Sequence, residues 1–209
     1  MATSEVEICN SAFVKIGEDT IVSMDEDRKQ ARFAKRQYPI KRRQLLRSYR
    51  WNFAIRRTSL APEASAPSFG FNHKFLLPYN AIKVIGLYDE NEPQNNYTST
   101  RTPFKVEGRY ILADEDTLRI FYLEDVIDPN QFDPMFTESL SWFLAWELGY
   151  ALSGGPQIAE QARQSFYQSI REARFADAIE GQPEIIQSSE WLDSRRTQNG
   201  PGLGPVLGA

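Results

Sequence analysis

Residues 134–152 read PMFTESLSWFLAWELGYAL, and the fold turns on how this stretch packs. Asp133 before Pro134 is a helix-start signature. The carboxylate accepts free first-turn N–H groups, and proline gives up a donor that has no partner there anyway. At ~100° per residue, Phe136, Leu140, Phe143, Leu144 and Leu148 share one face. Trp142, Trp146 and Tyr150, at spacing four, share another. A helix apolar on two faces is either central to its own domain or packs against another subunit. Gly154, Gly155 and Pro156 interrupt the chain, and a fourth helix over 157–179 carries the stripe Ile158, Ala162, Phe166, Ile170 and Ala173.

Towards the N-terminus, Ser4 and Glu7 have capping-box spacing and open a first helix over 4–16. Its apolar face holds Ile8, Ala12 and Ile16 beside Cys9 and Phe13, and Gly17 is placed to end it. Ser23 and Glu26 form a second capping box, predicting a second helix that runs to about Tyr49. Ala31, Ala34, Tyr38, Leu45 and Tyr49 make its core stripe. Phe33 and Ile40 lie opposite, where a solitary helix is normally polar, and Pro39 should bend it.

The same helix carries an unusual charge. Residues 28–53, RKQARFAKRQYPIKRRQLLRSYRWNF, hold ten Lys or Arg and no acid. Between Arg28 and Pro62 lie 12 of the chain's 24 cations, so the other 12 face all 28 acids. Arg28, Arg32, Lys35, Arg36, Arg42, Arg43, Arg47 and Arg50 define a basic face from which Lys41 is displaced. Such a face can be solvated, can meet nucleic-acid phosphates, or can pair with acids on neighbouring copies. The last would suit a chain whose remainder is so acidic.

The middle third has a different period. Residues 53–60, 81–88, 104–112 and 118–126 read as short strands, with Gly108 at a hairpin turn and APEASAPSFG (61–70) as a loop. The expected fold class is therefore mainly α: a four-helix bundle-like domain with an inserted small antiparallel β domain and an extended C-terminal arm. The expected division is 1–52 and 129–181 helical, 53–128 β-rich, and 182–209 a partly flexible arm. Within that arm Ile185, Ile186, Trp191 and Leu192 are apolar anchors without an evident core of their own.

Composition narrows the chemistry. A chain of 209 residues, 41% hydrophobic, can bury a core, and a net charge of −4 argues against general polyanion binding. No secretory signal and no run of 18 apolar residues is evident, so no membrane role is expected. A single cysteine permits no internal disulfide and suits a reducing compartment, and a single histidine, His73, excludes two-histidine metal motifs. Phosphate-cradling glycine loops, the nucleophile-elbow pattern and the zinc-protease pattern are missing. Asp114–Glu115–Asp116 and the acidic run at 89–92 read as solvated turns. No catalytic residue, metal or cofactor is expected.

Taken together, SEVEICNSAFVKIGEDTIVSMDEDRKQARFAKRQYPIKRRQLLRSYRWNFAIRRTSLA, then FLLPYNAIKVIGLY, then KVEGRYILADEDTLRIFYLEDV resemble the head-to-tail adaptors of short-tailed bacteriophages, the tail tubular protein A or tail accessory factor family. The most specific parts are ICNSAFVKIG, LLRSYRWNFAIRR and VEGRYILAD, and the likeness runs from Ser4 to Trp191. It implies a structural virion protein assembled in the host cytoplasm and located at the head–tail neck. About twelve copies would form a ring between the portal ring and the tail nozzle protein, giving passage to DNA with transient, non-specific contact. On this reading Ile185, Ile186, Trp191 and Leu192 dock on the portal, and Phe33, Ile40, Trp142, Trp146 and Tyr150 face neighbouring copies. The basic face lies at an interface or along the DNA channel, and pairing between copies is expected for most of its cations, because a densely cationic channel would hinder DNA passage. Two alternatives stay open: a virion-associated cell-wall-degrading enzyme, and a nucleic-acid-binding protein using 28–50.

Overall fold

The computed structural model describes residues 4–88, 102–153 and 155–180. Helix α1 spans Glu5–Lys15 and α2 spans Lys29–Arg47. After a short 3-10 turn at Asn52–Ala54 come β1 (Ile55–Leu60), β2 (His73–Leu76), β3 (Ala81–Leu87), β4 (Lys105–Glu107), β5 (Tyr110–Ala113) and β6 (Leu118–Glu124). A second such turn, Pro129–Gln131, leads into α3 (Pro134–Leu152) and α4 (Pro156–Ile179).

Helix α3 is the hub. Asp133 accepts from the backbone N–H groups of Met135 and Phe136 at 2.7 and 3.0 Å, with Pro134 in the first turn. Its first apolar face is buried: Phe136, Leu140 and Leu144 are fully enclosed, and Phe143 nearly so. Trp142 and Trp146 are half-buried against the same core. The Phe143 ring stacks on Phe166 of α4 at 4.7 Å, and Ser139 and Ser169 hydroxyls meet at 2.9 Å inside the α3–α4 contact. The two apolar faces of 134–152 are thus used mainly within the chain.

Helix α1 begins with the expected reciprocal capping box, Glu7 N–H to Ser4 Oγ and Ser4 N–H to Glu7 Oε2. It ends where Gly17 adopts φ +75°, letting Glu18 N–H reach back to the Phe13 carbonyl at 2.9 Å. Ser23 and Glu26 form a tight turn and not a helix start. Glu26 accepts from the Val22 and Ser23 N–H groups, and α2 begins only after Arg28, whose side chain caps nothing.

The strands form two three-stranded antiparallel sheets, ordered β1-β6-β3 and β2-β5-β4. Gly108, at φ +59°, is the first central residue of the two-residue turn joining β4 to β5. Strand β2 has no counterpart among the expected strands. HKFL is short, and only Phe75 is buried, so its four residues give almost no periodic signal.

The expected mainly α, bundle-like domain with a separate β insertion is overturned. Of the described residues 48% are helical and 19% are strand, a mixed architecture. The reason lies in β6. Leu118, Ile120 and Tyr122 face a core shared with Phe75 and Ile111 of the second sheet, while Leu123, with Val126 beyond the strand, joins the helical core. Ile55, Ile82 and Ile85 of the same sheet also pack on the helices. A strand apolar on both sides makes its sheet a middle layer, so the first sheet is continuous with the helical core.

Candidate interaction surface

Helix α2 presents its charge on a surface that is already half neutralised. At its N-terminal end Arg28 meets Asp19 at 2.9 Å, Arg32 meets Asp27 at 2.6 Å and Lys35 meets Asp25 at 2.6 Å. The hydrogen bond from Lys35 holds the Asp25 carboxyl below its ordinary value. These pairs are exposed, and solvent screening leaves each of them little weight in stability. Further along, Lys41 bonds Glu147 of α3 at 2.7 Å with its ammonium 4.7 Å from the Phe143 ring. Its displacement from the basic face, read from the helical period, corresponds to this seat between α2 and α3.

Arg42 is a correction to the basic face. Only 5% exposed, it points inward and bonds Asp125 at 2.8 Å, while the exposed Arg43 reaches the other oxygen of the same carboxylate at 3.2 Å. Asp125 directly follows β6, so the pair ties α2 to the middle sheet. Its Nε and the nearby Tyr38 hydroxyl are buried without a hydrogen-bond partner, and burial pushes the Tyr38 phenol upward. Arg47 donates to the Ile82 carbonyl. Arg36 is exposed. The acids expected from neighbouring copies are thus supplied, for six cations, by the same chain.

The expected contact residues separate. Phe33 packs half-buried on the core with Lys29 over its ring at 5.8 Å. Trp142 lies under the Lys15 ammonium at 4.8 Å, and Trp146 contacts Phe166 and Tyr167 of α4. Ile40 and Tyr150 are exposed, at 54% and 71%. Phe175 and Ile179 of α4 stand equally far out, at 70% and 66%, and sequence reasoning missed them because the α4 stripe was counted only on its buried side. Ile185, Ile186, Trp191 and Leu192 lie outside the described residues.

A groove opens between α2 and α4. Leu45, Phe143, Phe166 and Ile170 form its floor, and Lys41, Gln44, Tyr167 and Arg174 its walls. Arg174 donates to the Ser48 hydroxyl at 3.2 Å and stacks over Tyr49 at 5.6 Å, while its Nε is buried without a partner. No carboxylate pairs with Arg174 among the described residues. At the end of this wall Asp177 is buried and accepts from the Asn52 N–H at 2.9 Å. Burial pushes its carboxyl up to about 6.

Cys9 is held in the core, and His73 and the acids at 114–116 lie at strand ends. Burial pushes the Cys9 thiol up to about 12, far from a reactive thiolate. His73 Nε2 stands 3.6 Å from Asp116, too long for a hydrogen bond. Asp114 accepts from the Asn72 N–H and Glu115 from the Thr102 hydroxyl, as turn acids do. Among the described residues no three His, Cys, Asp or Glu side chains gather to hold a metal, and no helix is long and apolar enough to cross a membrane. No protein-family model matches the chain, and no curated protein matches it either.

Proposed function

We propose that this protein is a structural head-to-tail adaptor of a short-tailed bacteriophage. Its copies form a ring of about twelve between the portal ring and the tail nozzle protein, in the virion neck, and give passage to DNA without performing catalysis. The reading rests on the sequence resemblance over Ser4–Trp191. The observation that carries it is the outward placement of large apolar side chains on three helices: Ile40 on α2, Tyr150 on α3, and Phe175 and Ile179 on α4. Scattered single residues of this kind are common on monomers. Here they stand on the outer faces of helices that build the core, a placement that suits contact with neighbouring copies.

The internal ion pairs of α2 also favour this reading over nucleic-acid binding. A phosphate must displace a carboxylate already bonded to Arg28, Arg32, Lys35 or Arg43, so fewer counterions are released than ten cations suggest. Sedimentation of the purified protein, alone and with the portal ring from the same genome, tests the proposal. A large complex of fixed stoichiometry is expected. Failure to associate at any ratio refutes it, and turnover of cell-wall material by the pure protein would establish the enzymatic alternative.

A further inference from the structure

The groove between α2 and α4 combines features that point to a particular occupant. Its floor is aromatic and aliphatic, its rim carries Lys41 and Arg174, and Arg174 has no acid partner among the described residues. Tyr167, on the α4 wall, is 49% exposed. A ligand for this surface needs two or three large apolar side chains with carboxylates spaced between them.

The chain itself carries such a segment immediately beyond α4. Residues 182–194 read QPEIIQSSEWLDS, with Glu184, Glu190 and Asp193, no cation, and the apolar set Ile185, Ile186, Trp191 and Leu192. Helix α4 ends at Ile179, five residues past the groove wall at Arg174. From Ile179 back to Phe166 the helix runs about 20 Å at its ordinary rise. The segment extended spans roughly 40 Å, ample to reverse direction and lie along the groove. Because the tether is short, the segment's effective concentration at its own groove is on the order of millimolar, above that of any second copy at working dilution.

We propose that residues 182–194 seat in the α2–α4 groove of the same chain, with Trp191 or the Ile185–Ile186 pair on the Phe143–Phe166 floor and a carboxylate on Arg174. This holds whether or not the chain is an adaptor. It adds a consequence if it is: any partner that recruits the arm must first withdraw it, so its apparent affinity is lowered by the fraction of arms seated.

The full chain tests this in a Cys9→Ala background that removes the one natural thiol. Gln44→Cys on the groove wall is combined with Gln187→Cys in the arm and treated with a short bis-maleimide at low micromolar protein. A matched protein carries Val22→Cys, remote and 91% exposed, in place of Gln44→Cys. The expected result is an intramolecular link between positions 44 and 187, identified by peptide mass in the monomer, at least tenfold more abundant than the 22–187 link. Adding Tyr167→Glu, with unchanged circular dichroism, should reduce it severalfold. Equal linking at 44 and 22 overturns the proposal. Linking that appears only between chains and rises with protein concentration also overturns it, assigning the groove to a second copy.

Discussion

Removing the Asp125 carboxylate should destabilise this protein far more than removing any other acid that pairs with α2. Arg42 is held 5% exposed, its guanidinium bonded at 2.8 Å to an Asp125 side chain that is itself only 17% exposed. At an effective dielectric of ~20 a pair at this range attracts by about 4 kcal/mol. Most of that attraction offsets the desolvation of the two charges, so the net worth of the pair is small. The asymmetry appears when one partner is removed: Asp125→Ala leaves a buried cation that already has one unsatisfied nitrogen, Nε. That costs about 3–5 kcal/mol, far more than Asp25→Ala or Asp27→Ala, whose pairs are solvated at the surface. The double replacement Arg42→Met with Asp125→Leu should recover most of the loss, since apolar side chains fill the site without a stranded charge.

Equilibrium urea unfolding of wild type, Arg42→Met, Asp125→Leu and the double gives the coupling energy directly. A coupling of at least about 2 kcal/mol is expected. If Asp125→Ala and Asp25→Ala shift the midpoint equally, Arg42 is not a buried cation in solution. The attachment of α2 to the middle sheet through this pair would then be wrong.

Other groups give independent checks. Asp177→Asn keeps an oxygen for the Asn52 N–H while removing a carboxyl whose folded value, about 6, lies above its ordinary 3.8. Its contribution is present below about pH 4 and lost as pH rises through 6, so the variant should flatten that slope and stabilise the protein at pH 7 by on the order of 1–2 kcal/mol, read by urea midpoints at several pH values. Asp133→Ala removes the acceptor for two N–H groups and should cost about 1–2 kcal/mol by the same assay, with helix content retained. Cys9 should resist an aromatic disulfide reagent at pH 8 until the protein is unfolded, and prompt labelling of the native chain would contradict its burial. Binding to free duplex should show a shallow salt slope, no steeper than about −3 on logarithmic axes.

How much of this was legible in the sequence depended on whether the controlling partner was near or far along the chain. The starts of α1 and α3 and the turn at Gly17 rest on residues within five positions of each other, and the spacing predicts each one. Periodicity also separated Lys41 from the other cations, because a helix angle is a local quantity. It placed Arg42 on the exposed face because the acid that draws it inward, Asp125, lies 83 residues away and is set by strand register. The same blindness produced the expected separate β domain. Leu118, Ile120, Tyr122 and Leu123 read as one apolar strand, but no spacing says that one side of β6 meets a second sheet and the other meets helices. The α2–α4 groove, with Arg174 in its wall, required both helices to be placed.

The opening half of α2 and its closing half answer the question of its charge differently. Asp19, Asp25 and Asp27 precede the helix and pair with Arg28, Lys35 and Arg32, so the first turns carry local countercharge that also favours the helix N-terminus. These pairs are solvated, so they constrain the helix little. At Lys41 and Arg42 the partners are Glu147 on α3 and Asp125 after β6, and these two pairs are more enclosed. Here charge specifies geometry: an ion pair in a low-dielectric setting tolerates few alternative placements, so α2 is held at one angle between α3 and the middle sheet. Arg36 and Ile40, one turn apart at the change between the two regimes, are both exposed. A partner approaching α2 would meet this mixed basic and apolar spot first, which suits a protein surface with an acid beside an apolar recess better than a row of phosphates.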